Sequence, residues 1–390
     1  MKIVEVRGYW LEYALSRPLY NSIGSIESRN ALIVELVTDD GHSGWGETQR
    51  LPGLAWSIIE SAHAKRLLGS DPFSNPLANP LNAPLDEKPQ GEQPRGEVAM
   101  MAASAIDIAL WDLRGRILGL PIASLLGGAR RQDILAYASG PFMAGGGDPY
   151  RNMLADVERY LGEGFTGFKL RCGVTPAADA EIAKSVRRLI GPDARLMIDI
   201  NTGYSRDSAV ELLGRVEGAD LSWIEEPLQP FDFDGYAGLS KGSAVPIAAG
   251  ENIAELRDFR QLIASGGVSL IQPDLYLCGG ISGAMRIAAL ADAFGTPYLP
   301  HVFGGIVNFY ASLQLASVLT PYGLGRGADY PWFEYDRGEN ALRTMPSEPA
   351  LDERGRIAIP DGPGIGIEIS REMFAPFTHQ AWELRSEGTG

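Results

Sequence analysis

Arg195-Leu-Met-Ile-Asp-Ile200 is a short apolar run, followed by a polar stretch with helical spacing and then by Leu221-Ser-Trp-Ile-Glu225. The same rhythm recurs at Phe165–Leu170, Val245–Ala249, Val268–Gln272 and Thr296–Leu299, with helical patterns at Ala177–Leu189, Ser208–Val216 and Gly283–Phe294. Runs this short and apolar suit strands covered on both faces, and strand alternating with helix builds a parallel sheet from βα units. Repeated so often, the pattern predicts an α/β fold of the (β/α) barrel type. The rival, a doubly wound open sheet, would carry a Gly-x-Gly-x-x-Gly turn after its first strand, and none is present.

A polar residue closes each run: Lys169 and Arg171, then Asp199, Glu225 with Glu226, Glu251, Asp274 and His301. Their spacings of 30, 26, 26, 23 and 27 residues each match one βα unit. Residues that recur once per unit at the carboxyl ends of barrel strands face one shared mouth. A lone carboxylate there reads as a helix cap or a solvated charge. Three on consecutive strands would repel one another unless a cation neutralises them, so Asp199, Glu225 and Glu251 suit three oxygen ligands of a hard cation such as Mg²⁺. Asp274 one unit before His301 suits a carboxylate that fixes an imidazole tautomer and raises its basicity for general acid–base work. Lys169 and Arg171 are two apart on one strand and share a face.

Outward from this core the pattern changes. Residues 3–13 and 31–38 read as strands, and Asp39-Asp40-Gly41 before Ser43-Gly-Trp-Gly-Glu47 is a hairpin signal. Residues 70–97 carry prolines at 72, 76, 80, 84, 89 and 94, which excludes regular structure and predicts a surface insertion. Ile106, Ala109, Leu110, Leu113 and Ile117 form one helical stripe, stopped by Gly119 and Pro121. Near 350 the chain returns to strand-like sequence, Arg356-Ile-Ala-Ile359, expected to pack back on the N-terminal region.

Composition sets the outer limits. In 390 residues, 34 Lys plus Arg against 49 Asp plus Glu leave a net charge of −15, which disfavours nucleic-acid backbones and anionic membranes. The N-terminus has no signal-peptide apolar core, and no run of ~20 apolar residues predicts a membrane span. Two cysteines, Cys172 and Cys278, exclude a disulfide framework and make a reducing, cytoplasmic setting the expectation. Four histidines among so many carboxylates favour oxygen-liganded metal over zinc or copper.

The chain resembles the enolase superfamily, mandelate racemase/muconate lactonising enzyme group. The residues that carry the likeness are Ser104-Ala-Ile-Asp-Ile-Ala-Leu-Trp-Asp-Leu113, Leu125-Leu-Gly-Gly128, Asp199-Ile-Asn201, Trp223-Ile-Glu-Glu-Pro227, Ala249-Gly-Glu251, Gln272-Pro-Asp274, Pro300-His301 and Ile359-Pro-Asp-Gly-Pro-Gly-Ile-Gly366. Phe333-Glu-Tyr-Asp-Arg337 ahead of Asn340 resembles acid-sugar dehydratases and galactarolactone cycloisomerases. The resemblance implies a modified (β/α)7β TIM-like barrel over residues 129–349. It implies an α+β capping domain formed by both chain ends: 1–128, with the Pro-rich insertion 70–97, and 350–390. It further implies Mg²⁺ on Asp199, Glu225 and Glu251, a base on His301 with Asp274 behind it, and Glu334 as a donor to the substrate carboxylate. Cap loops around Tyr20–Arg29 and Arg50–Trp56 would cover the substrate, with Tyr20, Asn21, Ser22, Arg29, Arg50 and Trp56, and Asn201 from the barrel, as contacts. Members are usually homo-oligomers.

One position departs from the family pattern. Lys-x-Lys often stands on the second barrel strand with its second lysine as a base, whereas this chain has Lys169-Leu170-Arg171. A guanidinium with a pKa above ~12 positions anions and is a poor base. Arg171 is therefore expected to position charge, Lys169 to contact a carboxylate, and His301 to be the one base. The expected function is Mg²⁺-dependent abstraction of the proton α to a carboxylate, then β-elimination of water from an acid sugar to a 2-keto-3-deoxy acid. Alternatives are a sugar-acid lactone cycloisomerase, in which the ring oxygen leaves, a racemase or epimerase, and a barrel that binds a sugar acid without turnover. A plain TIM-barrel hydrolase is disfavoured, since no Gly-x-Ser-x-Gly elbow directly follows a strand-like run; Gly238-Leu-Ser-Lys-Gly242 precedes one.

Overall fold

The structure is a computed structural model that describes residues 1–74, 96–323, 330–345 and 348–386. The proline-rich insertion falls largely at 75–95, outside the described residues.

The chain opens with three antiparallel strands, β1 (Ile3–Asn21), β2 (Gly24–Thr38) and β3 (Ser43–Gln49). Gly41, at φ 89°, turns β2 into β3 as the Asp-Gly signal predicts. Short helices α1 (Pro52–Ile58) and α2 (Ala64–Leu67), joined by a π turn, precede the long α3 (Glu97–Leu118) and short α4 (Ile122–Leu125). The glycines of Ser43-Gly-Trp-Gly-Glu47 have a packing reason. A Cβ on Gly46 would lie 1.8 Å from the Ala105 carbonyl oxygen, and one on Gly44 2.4 Å from that of Ala109. Their absence lets α3 lie directly on β3. Ile106, Ala109, Leu110 and Leu113 are buried there against Ile3, Val6, Leu32, Val34 and Leu36.

The barrel follows as β4 (Asp133–Ser139), α5 (Met153–Gly162), β5 (Gly167–Arg171), α6 (Pro176–Ile190), β6 (Arg195–Asp199), α7 (Arg206–Arg215), β7 (Trp223–Glu225), α8 (Phe233–Gly242), β8 (Ile247–Ala249), α9 (Leu256–Ala264), β9 (Leu270–Ile271), α10 (Gly280–Phe294), α11 (Ile306–Val318) and β10 (Phe333–Asp336). Strands β4 to β9 pair in sequence order, and β10 returns to pair in parallel with β4. Between α10 and α11 the chain joins β9 and its extension through parallel bridges, Tyr298 to Ile271 and His301 to Asp274. That segment is the seventh stave and β10 the eighth, giving the alternation of a (β/α)7β barrel.

After the short α12 (Ala341–Thr344) come β11 (Arg356–Ala358), the brief α13 (Arg371–Phe374) and β12 (Thr378–Arg385). Here the structure divides what was expected to act together. β12 pairs with β1 and completes the four-stranded cap sheet. β11 pairs antiparallel with β4, at the barrel, so residues 356–358 do not pack back on the N-terminal sheet. The region Tyr20–Arg29 also differs from a loop: it is the end of the β1–β2 hairpin, turned at Gly24. Among the described residues no helix is long and apolar enough to cross a membrane. Both cysteines are free and buried.

Candidate active site

Strand register assembles the site. Arg171 pairs with Asp199 and Asp199 with Glu225 across β5, β6 and β7, so three side chains of neighbouring strands leave the sheet at one level. Glu251 follows β8 after Gly250, whose φ of 132° turns the chain at the strand end. Lys169, Arg171, Asp199, Glu225, Glu251, Asp274, His301 and Glu334 are all buried and all converge.

So many buried charges persist only when paired. Lys169 Nζ binds a Glu225 oxygen, lies 2.7 Å from Glu334 Oε1 and 4.0 Å from Asp199 Oδ2. Arg171 Nη1 binds Asp199 Oδ2, while its Nη2 donates to Ser139 Oγ at 3.2 Å and stands 3.6 Å from Glu334. His301 Nδ1 is 2.7 Å from Asp274 Oδ2, and Nε2 is 2.9 Å from Glu251 Oε2 and 3.7 Å from Glu334 Oε2. The Val302 amide donates to Glu334 at 3.0 Å.

Burial and neighbours set the protonation states. Burial pushes the Asp199 carboxyl up to about 7, even with Arg171 beside it. Burial opposes charge on His301 too, but Glu251, Glu334 and Asp274 outweigh it and hold the imidazole well above its usual pKa. Glu251 is raised by burial, yet His301 and then Lys169 and Arg171 win and keep it ionised below the usual carboxylate range. Glu334 follows the same logic with Lys169 as chief partner and falls to about 2, so it is an ionised acceptor here and not the donor expected from the sequence.

Among the described residues, ligand atoms of Glu225, Glu251 and His301 lie within 4.8 Å of one another, close enough to share one cation, and Asp199, the third expected ligand, is not in that group. Asp199 is turned toward Arg171, and Asn201 holds it through its amide nitrogen at 2.7 Å and its Nδ2 at 2.9 Å. Asn201 thus orients a carboxylate, with φ 45° tucking it back toward Asp199.

Other expected contacts disperse. Tyr20 packs on Gly145 and its carbonyl accepts from the Met143 amide at 3.0 Å, at the loop after β4. Ser22, at the hairpin tip, donates to the Ile200 carbonyl and fits between Gly173 and Gly203. Arg29 pairs with Asp336 at 2.9 Å, 4.3 Å over the Phe303 ring. Arg50 reaches Glu97 at 3.1 Å and Asn252 at 2.8 Å, and Asn252 in turn donates to Glu226 and Glu251. Trp56 lies in the core of the cap, stacked on Trp382 at 5.1 Å over the space left by Gly8.

Sequence reasoning missed several groups that set the geometry. Gln272 Nε2 at 2.7 Å and Trp223 Nε1 at 3.0 Å both hold Glu225 Oε2. Asn308 Nδ2 and the Tyr276 amide hold Asp274 Oδ1, at 3.2 and 3.1 Å. Glu226 is fully buried at φ 39°, and burial with Glu251, Asp199 and Glu225 beside it drives its carboxyl far above the usual range. Gln272 and Glu226 were in view as neighbours of strand-end residues. Asn308 had no such signal.

Comparison with known proteins agrees with this arrangement. Residues 6–127 match the mandelate racemase/muconate lactonizing enzyme N-terminal domain, and 152–373 the enolase C-terminal domain-like family. The D-galactarolactone cycloisomerase of Agrobacterium fabrum is 36% identical over 380 residues, covering 97% of this chain and 99% of its own. The crystal structure of the 3,6-anhydro-D-galactonate cycloisomerase from Zobellia galactanivorans superposes with TM-score 0.83 at 29% identity, covering 97% of this chain and all of that one. An L-talarate/galactarate dehydratase mutant liganded with Mg and L-glucarate has TM-score 0.81 at 28% identity, over 99% of this chain and 94% of its own. The chain is an enzyme of the mandelate racemase/muconate lactonising group of the enolase superfamily, built as a modified (β/α)7β barrel under an α+β cap.

Proposed function

We propose that this enzyme removes the proton α to the carboxylate of an acid sugar, or of its lactone, and expels the oxygen at the β-carbon to give a 2-keto-3-deoxy acid. One observation carries the reading: His301 is held through Nδ1 by Asp274, with Nε2 turned toward the carboxylates of Glu251 and Glu334. Asp199, Glu225 and Glu251 would hold Mg²⁺, which supplies Lewis acidity that makes the α-proton of a bound carboxylate removable. With Glu251 neutralised by a cation, His301 loses the chief charge that keeps it protonated, so that the neutral imidazole takes that proton at Nε2, with Asp274 stabilising the imidazolium that forms. Lys169 and Glu334, already paired, face the developing enediolate charge as a preorganised cation and its orienting partner. Arg171 keeps its proton and positions anionic oxygen on its side of the site, so proton transfer runs through His301 alone.

Dehydration requires the leaving hydroxyl to be protonated, and His301, having just gained a proton, is the group that returns it. The ring-opening reading has its own support. Two of the relatives just described are cycloisomerases, and they match this chain over nearly the whole of both lengths. A lactone ring oxygen leaves as a carboxylate and needs no proton, which suits a site with one imidazole. The test is a screen of acid sugars and their lactones with Mg²⁺ for 2-keto acid formation, read also by mass spectrometry. Loss of one water marks dehydration, an unchanged mass marks ring opening, and α-deuterium exchange without elimination rejects both.

A further inference from the structure

Glu47 closes the Ser43-Gly-Trp-Gly-Glu47 stretch on cap strand β3, is fully buried, and lies outside the mouth described above. Its carboxylate crosses into the barrel. The Gly305 amide donates to one oxygen at 2.6 Å and the Asn308 amide to the other at 2.9 Å, with Val307 N–H also directed at it. These are the first-turn amides of α11, which have no partner inside the helix. The helix's N-cap is Gly305, which offers no side-chain acceptor. Burial, with Asp274 nearby, pushes the Glu47 carboxyl up to about 7, and the free N–H groups and helix dipole at that end oppose the rise. The backbone leaves room for it: a Cβ on Gly305 would lie 3.0 Å from Glu47 Oε2, and one on Gly304 2.7 Å from Gln49 Nε2.

The clamp is short-coupled to the base. His301 stands four residues before Gly305, so the linking segment is fixed at one end by Asp274 and at the other by Glu47. Asn308 belongs to both ends: its backbone N–H binds Glu47, and its Nδ2 donates to Asp274 Oδ1 at 3.2 Å. Asp274 Oδ2 then meets His301 Nδ1 at 2.7 Å. We propose that Glu47 is a positioning residue for the His301–Asp274 pair, a carboxylate of the cap that pins the N-terminus of α11 and, through Asn308, holds Asp274 in line with the imidazole. The cap thereby does more than cover substrate, because it sets the geometry of the base from behind.

The experiment compares Glu47→Gln with the intact enzyme, and rests in its kinetic arm on the function proposed above. Glu47→Gln keeps the shape but turns an amide N–H₂ toward backbone donors. It should lower kcat about 10- to 100-fold, as loss of an orienting partner does, with KM changed less than about threefold. The low-field proton resonance of the His301 Nδ1–H···Asp274 bond should shift or vanish. Ser282→Ala removes a different contact between cap and barrel, the 2.9 Å bond donated by Trp111 Nε1 to Ser282 Oγ. It should lower Tm without moving that resonance. A Glu47→Gln protein with an unmoved resonance and kcat, and only a lower Tm, overturns the proposal. If Glu47→Gln does not fold, Asn308→Ala decides: it keeps the backbone bond to Glu47 and should still lose the resonance, and an unchanged resonance overturns the coupling. If no acid sugar is turned over by the intact enzyme, the proposed function fails, while the resonance still decides the role of Glu47.

Discussion

Two residues of travel along a barrel strand separate two layers with opposite chemistry. Tyr137, Met197, Trp223, Leu299 and Trp332 pack together with Ala248 and Leu270 as an apolar floor. Two positions on, Ser139, Asp199, Glu225, His301 and Glu334 form the mouth. The alternation of a strand puts both layers on one face, inside the barrel. Both layers are almost wholly buried, so burial alone does not tell them apart. The floor gains stability by leaving water, whereas the mouth loses solvation that only internal pairing offsets. Stability and chemistry are thus stacked along the same strands, and substitutions should separate them.

The largest expected effect is at the mouth. His301→Asn should lower turnover by about 10³-fold while Mg²⁺ binding, followed by calorimetry, persists; near-wild-type formation of 2-keto acid would break the assignment. Next is the floor. Met197→Ala beneath Asp199 should cost about 2–5 kcal/mol of stability, read by chemical denaturation, with Mg²⁺ affinity close to that of the parent. A large loss of affinity in that variant would mean that the two layers are not separable.

Mg²⁺ itself should stabilise the fold through the mouth alone. At a hundred times its Kd, a ligand that binds only the folded chain adds about 3 kcal/mol, seen as a rise in Tm that chelation reverses. Glu225→Gln should abolish that rise, and a rise that survives would place the ion elsewhere. The smallest effect belongs to neither layer. His63, buried in the cap, is held down to about 4 by burial and by Arg66. The unfolded chain therefore takes up a proton that the folded one refuses as pH falls from 6.5 toward 4. Stability is full above that window and lost within it, by at most about 3 kcal/mol. His63→Leu should flatten that acid-side decline in Tm, and a slope equal to the parent's would reject the cause.

The sequence exposed the mouth better than the cap, for a physical reason. Asp199, Glu225, Glu251, Asp274 and His301 each follow an apolar run, and the repeat of one βα unit marks them as a set. Their aggregation follows from backbone register, which is periodic. What the register does not encode is rotamer and packing across domains. Asp199 turning to Arg171, Gln272 reaching Glu225, and Asn308 holding Asp274 depend on side chains brought close by tertiary contacts alone. Trp56 shows the same limit, since an indole beside polar residues suits a ligand face or a core face equally, and Gly8 decides for the core. The segment 356–358 reads as strand either way, and the start of β4, residues 133–135, which neither β5 nor β10 pairs, determines where it pairs.

The cap sheet has one more consequence, for assembly of the molecule during synthesis. β1 is flanked by β2 and by β12, and the pairing of Glu5 with Arg385 joins residues at opposite ends of the described chain. β1 is made before the barrel and therefore keeps an open edge until every stave of the barrel has been made. Contacts so distant in sequence form late and slowly. An exposed strand edge invites pairing with other chains in the meantime. The nascent cap would thus be the part of this enzyme that most needs shielding, and the hairpin that touches the mouth through Ser22 would settle among the last elements to find their place.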